Sequence, residues 1–206
     1  MIKNYLITAI RELRKRKFYT AINILGLSVS LTAAILIIFW VQDEQSFDKF
    51  HPNYEAIYTV NSHLDPEHNG AIWGITPGPI GNYAKNAPDV EFATRVSQDY
   101  NVTLVNDKLK RPVTDMSIYY VDGSFFNMFH FPLQEGSLVG FQENYKQALV
   151  TASTAEKLFS SQQAIGKTFR YGADLFTVAG ILKDVPQNSS MQFNVIIPLG
   201  YHAQRF

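Results

Sequence analysis

A long uncharged stretch dominates the N-terminal part of the chain. No Asp, Glu, Lys or Arg occurs from residue 18 to residue 42, and Ala21–Val41 holds twelve Leu, Ile, Val and Phe residues among its 21. As a helix rising about 1.5 Å per residue, this segment spans roughly 30 Å, the thickness of a hydrocarbon core. Its apolar residues together favour insertion by about 4–7 kcal/mol. The pattern therefore predicts a transmembrane helix over residues 18–42.

Two other structures can carry such a stretch: a buried helix of a soluble protein and a cleaved signal peptide. Buried helices of soluble proteins rarely run this long without a charge. A signal peptide has a shorter apolar core, and polar sequence follows its cleavage site. Here the small residues Thr32–Ala34 are followed by the apolar run Ile35–Val41. An uncleaved membrane anchor fits the pattern better than either alternative.

The residues before the span are amphipathic. In a helix over residues 2–16, five apolar side chains fall on one face and the basic side chains lie elsewhere. These five are Ile2, Leu6, Ala9, Ile10 and Leu13. Segment 1–17 is therefore typical of a helix that lies on the inner membrane surface or against a cytoplasmic partner.

The charges that flank the span predict its orientation. Two acidic residues directly follow it, and a basic run directly precedes it: Arg14, Lys15, Arg16 and Lys17. Basic flanks of membrane helices stay in the cytoplasm. We therefore expect a cytoplasmic N-terminus and an extracytoplasmic domain over residues 43–206.

Within the span, small residues recur every four positions at Gly26, Ser30 and Ala34. This spacing lets two membrane helices approach closely. Small residues are frequent in membrane helices in general, so the spacing fits either a helix-packing face or ordinary composition.

Beyond the span, short β-like runs alternate with short helical patterns, which is typical of an α+β fold with mixed strands and helices. Helices are predicted at 46–55, 77–86, 123–129 (with Asp122 as its cap) and 154–159 (with Thr151 or Ser153 as its cap). Strands are predicted at 56–61, 90–97, 101–105, 108–115, 117–121, 147–151, 167–171, 175–182 and 191–199. A run of four phenylalanines fits a core better than a docking patch: Phe125, Phe126, Phe129 and Phe131.

Composition and motifs give no sign of catalysis. The absence of cysteine excludes disulfides, zinc–thiolate sites and thiol nucleophiles. Ile165–Thr168 resembles the end of a phosphate-binding loop, but Ser161 stands where that motif needs a glycine. Four possible metal ligands share one loop without a firm ligand spacing: His63, Asp65, Glu67 and His68. The formal net charge of zero predicts no attraction to nucleic acid. We therefore expect no enzyme activity, no cofactor and no bound metal.

Several motifs together resemble a known family of membrane proteins. The segment 1–61 is similar to the start of MacB-like (FtsX-type) ABC transporter permeases of the Bacteroidetes type, and 121–137, 155–169 and 177–199 are similar to their periplasmic core domain. The marks at the start are R-K-R-K-F (Arg14–Phe18), N-I-L-G-L (Asn23–Leu27), D-E-x-S-F-D-K-F-H (Asp43–His51) and I-Y-T-V (Ile57–Val60).

This resemblance implies a non-catalytic permease subunit in the bacterial inner membrane. A separate cytoplasmic ABC ATPase would hydrolyse ATP, and the first helix would relay its motion to the periplasmic domain. Members of the family export macrolides or peptides, extract lipoproteins or control cell-wall hydrolases. The resemblance also implies a homodimer or heterodimer of permeases and a periplasmic adaptor or outer-membrane partner.

The family's permeases carry further membrane helices after the periplasmic domain, whereas residues 43–206 contain no second apolar span. We therefore expect this chain to be the N-terminal part of a longer permease, with a periplasmic domain that is incomplete at its C-terminal end. The alternative function is a membrane-anchored extracytoplasmic sensor or ligand-binding module, which would have a concave ligand pocket.

The basic run provides a direct test of orientation. Replacing Arg14, Lys15, Arg16 and Lys17 together by glutamine should loosen or invert the topology, because the positive flank that holds the N-terminus inside is lost. Protease protection of residues 43–206 in intact cells and in inverted vesicles measures this. An unchanged pattern of protection would contradict the predicted orientation.

Overall fold

The computed structural model describes residues 2–63, 70–161 and 163–205 of the chain. The chain divides into two compact units after Phe47. The predicted boundary between the membrane part and the outer domain lies at residue 43, so the two divisions differ by a few residues.

The first unit consists of two helices, α1 (Ile2–Lys15) and α2 (Lys17–Glu44). Arg16 separates them, because its backbone (φ −111°, ψ 53°) leaves the helical region. At about 1.5 Å per residue, the 28 residues of α2 extend roughly 42 Å, and none of them is buried. Among the residues that the structure describes, α2 is the one helix long and apolar enough to cross a membrane.

The second unit is built on a seven-stranded sheet with the order β5-β8-β6-β9-β4-β3-β7. Its strands are β3 (Val96–Asn106), β4 (Pro112–Val121), β5 (Leu133–Gly136), β6 (Gln147–Thr151), β7 (Thr168–Tyr171), β8 (Asp174–Leu182) and β9 (Val195–Pro198). A separate antiparallel ladder joins β1 (Ser62–His63) and β2 (Ile72–Trp73).

Short helices precede, connect and follow these strands. They are a 3₁₀ helix at Tyr54–Ala56, α3 (Ile80–Ala84), α4 (Phe125–Met128), α5 (Ala152–Phe159) and α6 (Leu199–Arg205). Parallel pairs (β4 with β9, β6 with β8) and antiparallel pairs occur in the same sheet. The predicted α+β class with an N-terminal apolar helix is confirmed.

The sheet closes on itself, because β7 pairs with both β3 and β8. Strand β8 is long enough to hold β7 along Asp174–Thr177 and β5 along Gly180–Leu182. The first of these two pairings is the predicted hairpin around Gly172, which has a positive φ of 59° as its turn requires.

Two hydrophobic cores lie on opposite faces of the sheet, because side chains alternate along each strand. On β4, Ile118 and Tyr120 belong to the first core, and Tyr119 and Val121 belong to the second. The first core also contains the buried face of α5, and the second contains the phenylalanines in and after α4. Burial on both faces explains the apolar runs at the end of β4 (Ile118–Val121), in β6 and in β9.

Several predicted elements differ from the structure. Segment 56–61 forms no ladder, and Tyr58 and Val60 are exposed, so its β-like composition is not matched by a partner strand. Strand β3 begins only at Val96 and not at residue 90. Residues 112–121 form one strand instead of two, although the pairing with β3 shifts register on either side of Met116, next to Asp115 with its positive φ of 58°.

Asp122 was predicted to cap the helix that follows it, and this is wrong. Ser124 occupies the cap position of α4 and makes no side-chain cap bond. The Asp122 carboxylate instead accepts two bonds from the Arg95 guanidinium, at 2.7 Å from Nε and 3.0 Å from Nη2. Two charge-assisted hydrogen bonds to the guanidinium stabilise the carboxylate more than a single cap bond to a backbone N–H would. The predicted cap at Thr151 is confirmed, since its side chain accepts from the Thr154 N–H.

Candidate functional site

The four basic residues predicted to set the orientation surround the junction of the two N-terminal helices. Arg14 and Lys15 end α1, and Arg16 and Lys17 lead into α2, all with exposed side chains. Lys15 Nζ lies 3.9 Å from the Glu12 carboxylate, but both side chains are more than half exposed. This pair therefore adds little to stability. The role of the basic run in orientation stays a prediction.

The small residues of the span lie along one side of α2 and are exposed. A Cβ added at Gly26 would meet no atom within 4 Å, and Ser30 and Ala34 are likewise exposed. The stripe is therefore accessible to a neighbouring helix. Packing at Gly26, Ser30 and Ala34 stays a prediction.

The loop with possible metal ligands is only partly described. His63 lies on β1 with an exposed side chain, whereas Asp65, Glu67 and His68 fall outside the described residues. Within the described ranges, no three His, Cys, Asp or Glu side chains are placed to hold a metal ion together. The fragment Ile165–Thr168 forms a turn at Gly166 (φ 75°) that leads into β7, where a phosphate-binding loop would lead into a helix.

The run of four phenylalanines belongs to the second core, as the sequence favoured. Phe125, Phe129 and Phe131 are buried, and Phe126 packs against the same cluster. The Phe125 and Phe131 rings stack with centroids 5.8 Å apart. These rings form a rigid surface against which the first residues of the second unit pack.

Asp48 binds the loop before β9 through its backbone and its side chain. Its N–H donates to the Asn188 carbonyl at 2.9 Å. Its carboxylate Oδ1 accepts from the Ser190 N–H at 2.9 Å and from the Ser189 hydroxyl at 3.3 Å. Asp48 has a positive φ of 57°, a conformation that Asp and Asn tolerate better than most residues. Three hydrogen bonds therefore hold this residue to a segment about 140 positions away in the chain.

His51 completes this attachment three residues later. Its side chain is 2% exposed, and its Nδ1 accepts from the His130 backbone N–H at 3.0 Å. The imidazole packs against the rings of Phe50, Phe129 and Phe131, with centroids 4.0, 5.3 and 5.3 Å away. We call residues 48–51, with their bonds to 129–131 and 188–190, the 48–51 clasp.

The electrostatics of the clasp favour a neutral imidazole. Burial lowers the pKa of His51 below its usual 6.5, and His130 lowers it further, whereas the Asp48 carboxylate acts in the opposite direction. The net effect is a lowered pKa. At neutral pH the Nδ1 lone pair is therefore available to accept the His130 N–H, which can act only as a donor.

An open cavity lies beside the clasp. It has a volume of about 220 Å³, and its lining includes Phe50, His130, Lys183 and Asp184. The cavity brings charged side chains of the segment after β8 close to the ring surface on which the clasp packs. The clasp joins residues 48–51 to two distant segments by hydrogen bonds and ring packing, an arrangement that suits attachment.

Sequence reasoning did not single out Asp48 or His51. Both lie in the D-E-x-S-F-D-K-F-H run, which was used only for its resemblance to a family. The available signal was a histidine beside a phenylalanine in otherwise polar sequence directly after the span. Their partners lie about 80 and 140 residues away, and no local pattern reveals such distant contacts.

Comparison with known proteins assigns most of the chain to one family. The sequence pattern of the MacB-like periplasmic core domain matches residues 20–206. A comparison with curated protein sequences found no match. The match to the family begins inside α2 and continues through the second unit.

Three solved structures share the fold. A domain of a permease protein from Porphyromonas gingivalis has a TM-score of 0.54 at 21% identity, over 59% of this chain and 52% of its own. The periplasmic region of MacB from Actinobacillus actinomycetemcomitans has a TM-score of 0.54 at 16% identity, over 71% and 65%. The extracellular domain of YknZ, a noncanonic ABC-type transporter from Gram-positive bacteria, has a TM-score of 0.51 at 16% identity, over 60% and 62%.

This chain thus spans about half to two thirds of the length of these solved structures. At such identities the likeness shows the fold alone, and the family match over most of the residues decides the assignment. The chain belongs to the family of the MacB-like periplasmic core domain found in ABC transporter permeases.

Proposed function

We propose that the chain is the N-terminal part of the permease subunit of an ABC transporter of the MacB/FtsX type. One observation carries this proposal: the family match runs without a break from residue 20, inside α2, to the end of the sheet domain. The apolar helix and the outer domain therefore form one family unit, and not a generic anchor fused to an unrelated domain.

The proposed orientation places α1 and the basic run in the cytoplasm and the second unit in the periplasm of a bacterial inner membrane. Support comes from Arg14–Lys17 on one side of the apolar span and two acidic residues on the other. In this orientation a cytoplasmic ABC ATPase meets the N-terminal side of α2. The periplasmic unit faces a second permease copy and an adaptor or outer-membrane partner.

The proposed role is mechanical and non-catalytic, and the 48–51 clasp is the point of attachment. Hydrogen bonds continue the end of α2 as far as Ser46, whose N–H and hydroxyl both reach the Asp43 carbonyl. Only Phe47 separates this bonded turn from Asp48 along the chain. Because one residue extends at most about 3.6 Å, a larger displacement of α2 must pull on the clasp.

The clasp is suited to transmit such a pull into the sheet domain. Asp48 is bonded to the loop that leads into β9, and His51 is bonded to the segment after α4. Strand β9 lies in the middle of the sheet between β6 and β4. Motion of the attached segment would therefore act on the central strands and not on a free edge. Export of a substrate or work on the cell envelope would follow from this motion.

The coding DNA beyond residue 206 provides the simplest test. A permease of this type predicts three further apolar spans in the same reading frame and an ABC ATPase gene beside it. A single further span followed by a cytoplasmic signalling domain would contradict the proposal and favour a membrane-anchored sensor.

The attachment itself is tested by substitutions at Asp48. Asp48→Gly keeps the positive φ but removes the carboxylate, so it should lower the free energy of unfolding of the second unit by about 1–3 kcal/mol. Asp48→Asn keeps an acceptor oxygen at Oδ1 and should cost less than about 1 kcal/mol. Denaturant unfolding of the full chain in detergent micelles measures both changes.

The matched control for this series is Asp89→Gly, which makes the same chemical change at an exposed site. It should alter stability by no more than about 0.5 kcal/mol. Local exchange of the Ser190 amide with deuterium should accelerate in Asp48→Gly and not in the control. Equal effects of the glycine substitutions at positions 48 and 89 would show that Asp48 holds nothing in place.

A further inference from the structure

We propose that His51 makes the 48–51 clasp sensitive to pH, so that protonation of its imidazole loosens the attachment of residues 48–51, which follow α2 in the chain, to the rest of the second unit. This inference rests on the proposed function, because it assigns a regulation to the same attachment. In the proposed orientation the clasp lies outside the cytoplasm, so its protonation follows the pH of the extracytoplasmic medium.

The hydrogen bond to His51 determines the sign of the effect. The His130 backbone N–H donates to His51 Nδ1 at 3.0 Å. A backbone N–H has no lone pair and cannot accept. Protonation of Nδ1 therefore places two hydrogen-bond donors opposite each other, which breaks this bond and leaves the N–H of His130, an exposed residue, to find another partner.

The surroundings of the ring oppose a positive charge. Phe50, Phe129 and Phe131 supply ring faces and edges in place of water, and the side chain is 2% exposed. Transfer of an imidazolium into such a site is costly unless a counter-charge compensates it. The ring therefore has to move toward water when it becomes protonated.

Charged groups of both signs lie in and around the clasp, and Lys49, within it, has an exposed side chain. Asp48, on the same segment, attracts a positive imidazole, and its Oδ1 is already bonded to Ser189 and Ser190. His130, on the segment after α4, repels it. Lys183 and Asp184, after β8, line the adjoining cavity of about 220 Å³ and bring charges of both signs. Burial and His130 prevail over Asp48, so the pKa of His51 is lowered from 6.5.

The direction of the pH dependence follows from this lowered pKa. Above about pH 6.5 the imidazole is neutral in both the attached and the released clasp, so the attachment has its full strength. As the pH falls from 6.5 toward the lowered pKa, only the released clasp gains a proton, and the attachment weakens. Below the lowered pKa both forms of the clasp carry the proton, so the attachment weakens no further. By then the equilibrium constant for attachment has fallen tenfold for each unit by which the pKa of His51 lies below 6.5.

The test compares wild type with His51→Asn in the full chain in detergent micelles. Asn Oδ1 occupies the place of His Nδ1 and can accept the His130 N–H, but the side chain does not titrate. Deuterium exchange of the His130 amide is measured at about pH 7.5 and about pH 5, the range over which histidine changes charge. Exchange is expressed as a protection factor, the ratio of the intrinsic to the observed rate at the same pH, so that the pH dependence of the intrinsic rate is removed.

We expect the protection of the His130 amide to fall several-fold on acidification in wild type and to stay constant in His51→Asn. His63→Gln, which replaces an exposed histidine, should follow wild type. A wild-type loss of protection that persists unchanged in His51→Asn would overturn the proposal, because another group would then be responsible.

A second measurement applies if His51→Asn does not fold. Histidine side-chain NMR of the wild type follows the His51 ring and the His130 amide in one titration. The two should change together below pH 6.5, and a His51 titration that leaves the His130 amide unchanged overturns the proposal. These measurements do not involve transport, so the reading of the downstream gene tests the proposed function separately.

Discussion

A 28-residue apolar helix with no buried residue can be stable only where its side chains leave water. Along its length α2 presents Leu, Ile, Val, Phe and Trp side chains that the described part of the first unit leaves exposed. A lipid bilayer satisfies this requirement, because a helix bonds all of its backbone groups internally and its length suffices to span. Every other functional feature takes its meaning from this constraint. The basic run marks one end of the helix, and the 48–51 clasp follows the other.

The clasp shows how a polar attachment can define one position. A purely apolar contact would hold residues 48–51 to the ring surface in several registers, since apolar packing is non-directional. The bonds of Asp48 and His51 add direction, because each needs a particular donor on a particular loop. Their distance from the helix end is only a few residues, so the position of α2 and the position of the clasp are linked through the covalent chain.

Sequence patterns predicted the parts of the fold that depend on local periodicity. The uncharged span, the hairpin around Gly172 and the helix capped by Thr151 all formed as expected. Segment 56–61 has an equally β-like composition but remained unpaired, because a strand needs a partner that sequence alone does not reveal. Asp122 bonds Arg95, 27 residues away, instead of capping the next helix. The clasp was missed for the same reason, since its partners are distant in sequence and Asp48 adopts a backbone conformation that composition does not signal.

The central claim is that α2 resides in lipid, and extraction of membranes at alkaline pH tests it most directly. Membranes from cells that produce the full chain are washed with carbonate, which strips peripheral proteins but leaves inserted helices in place. If α2 resides in lipid, the chain stays in the membrane pellet and is released only by detergent. A chain that appears in the wash as a soluble monomer without detergent would contradict the account, because α2 would then have to be covered by protein.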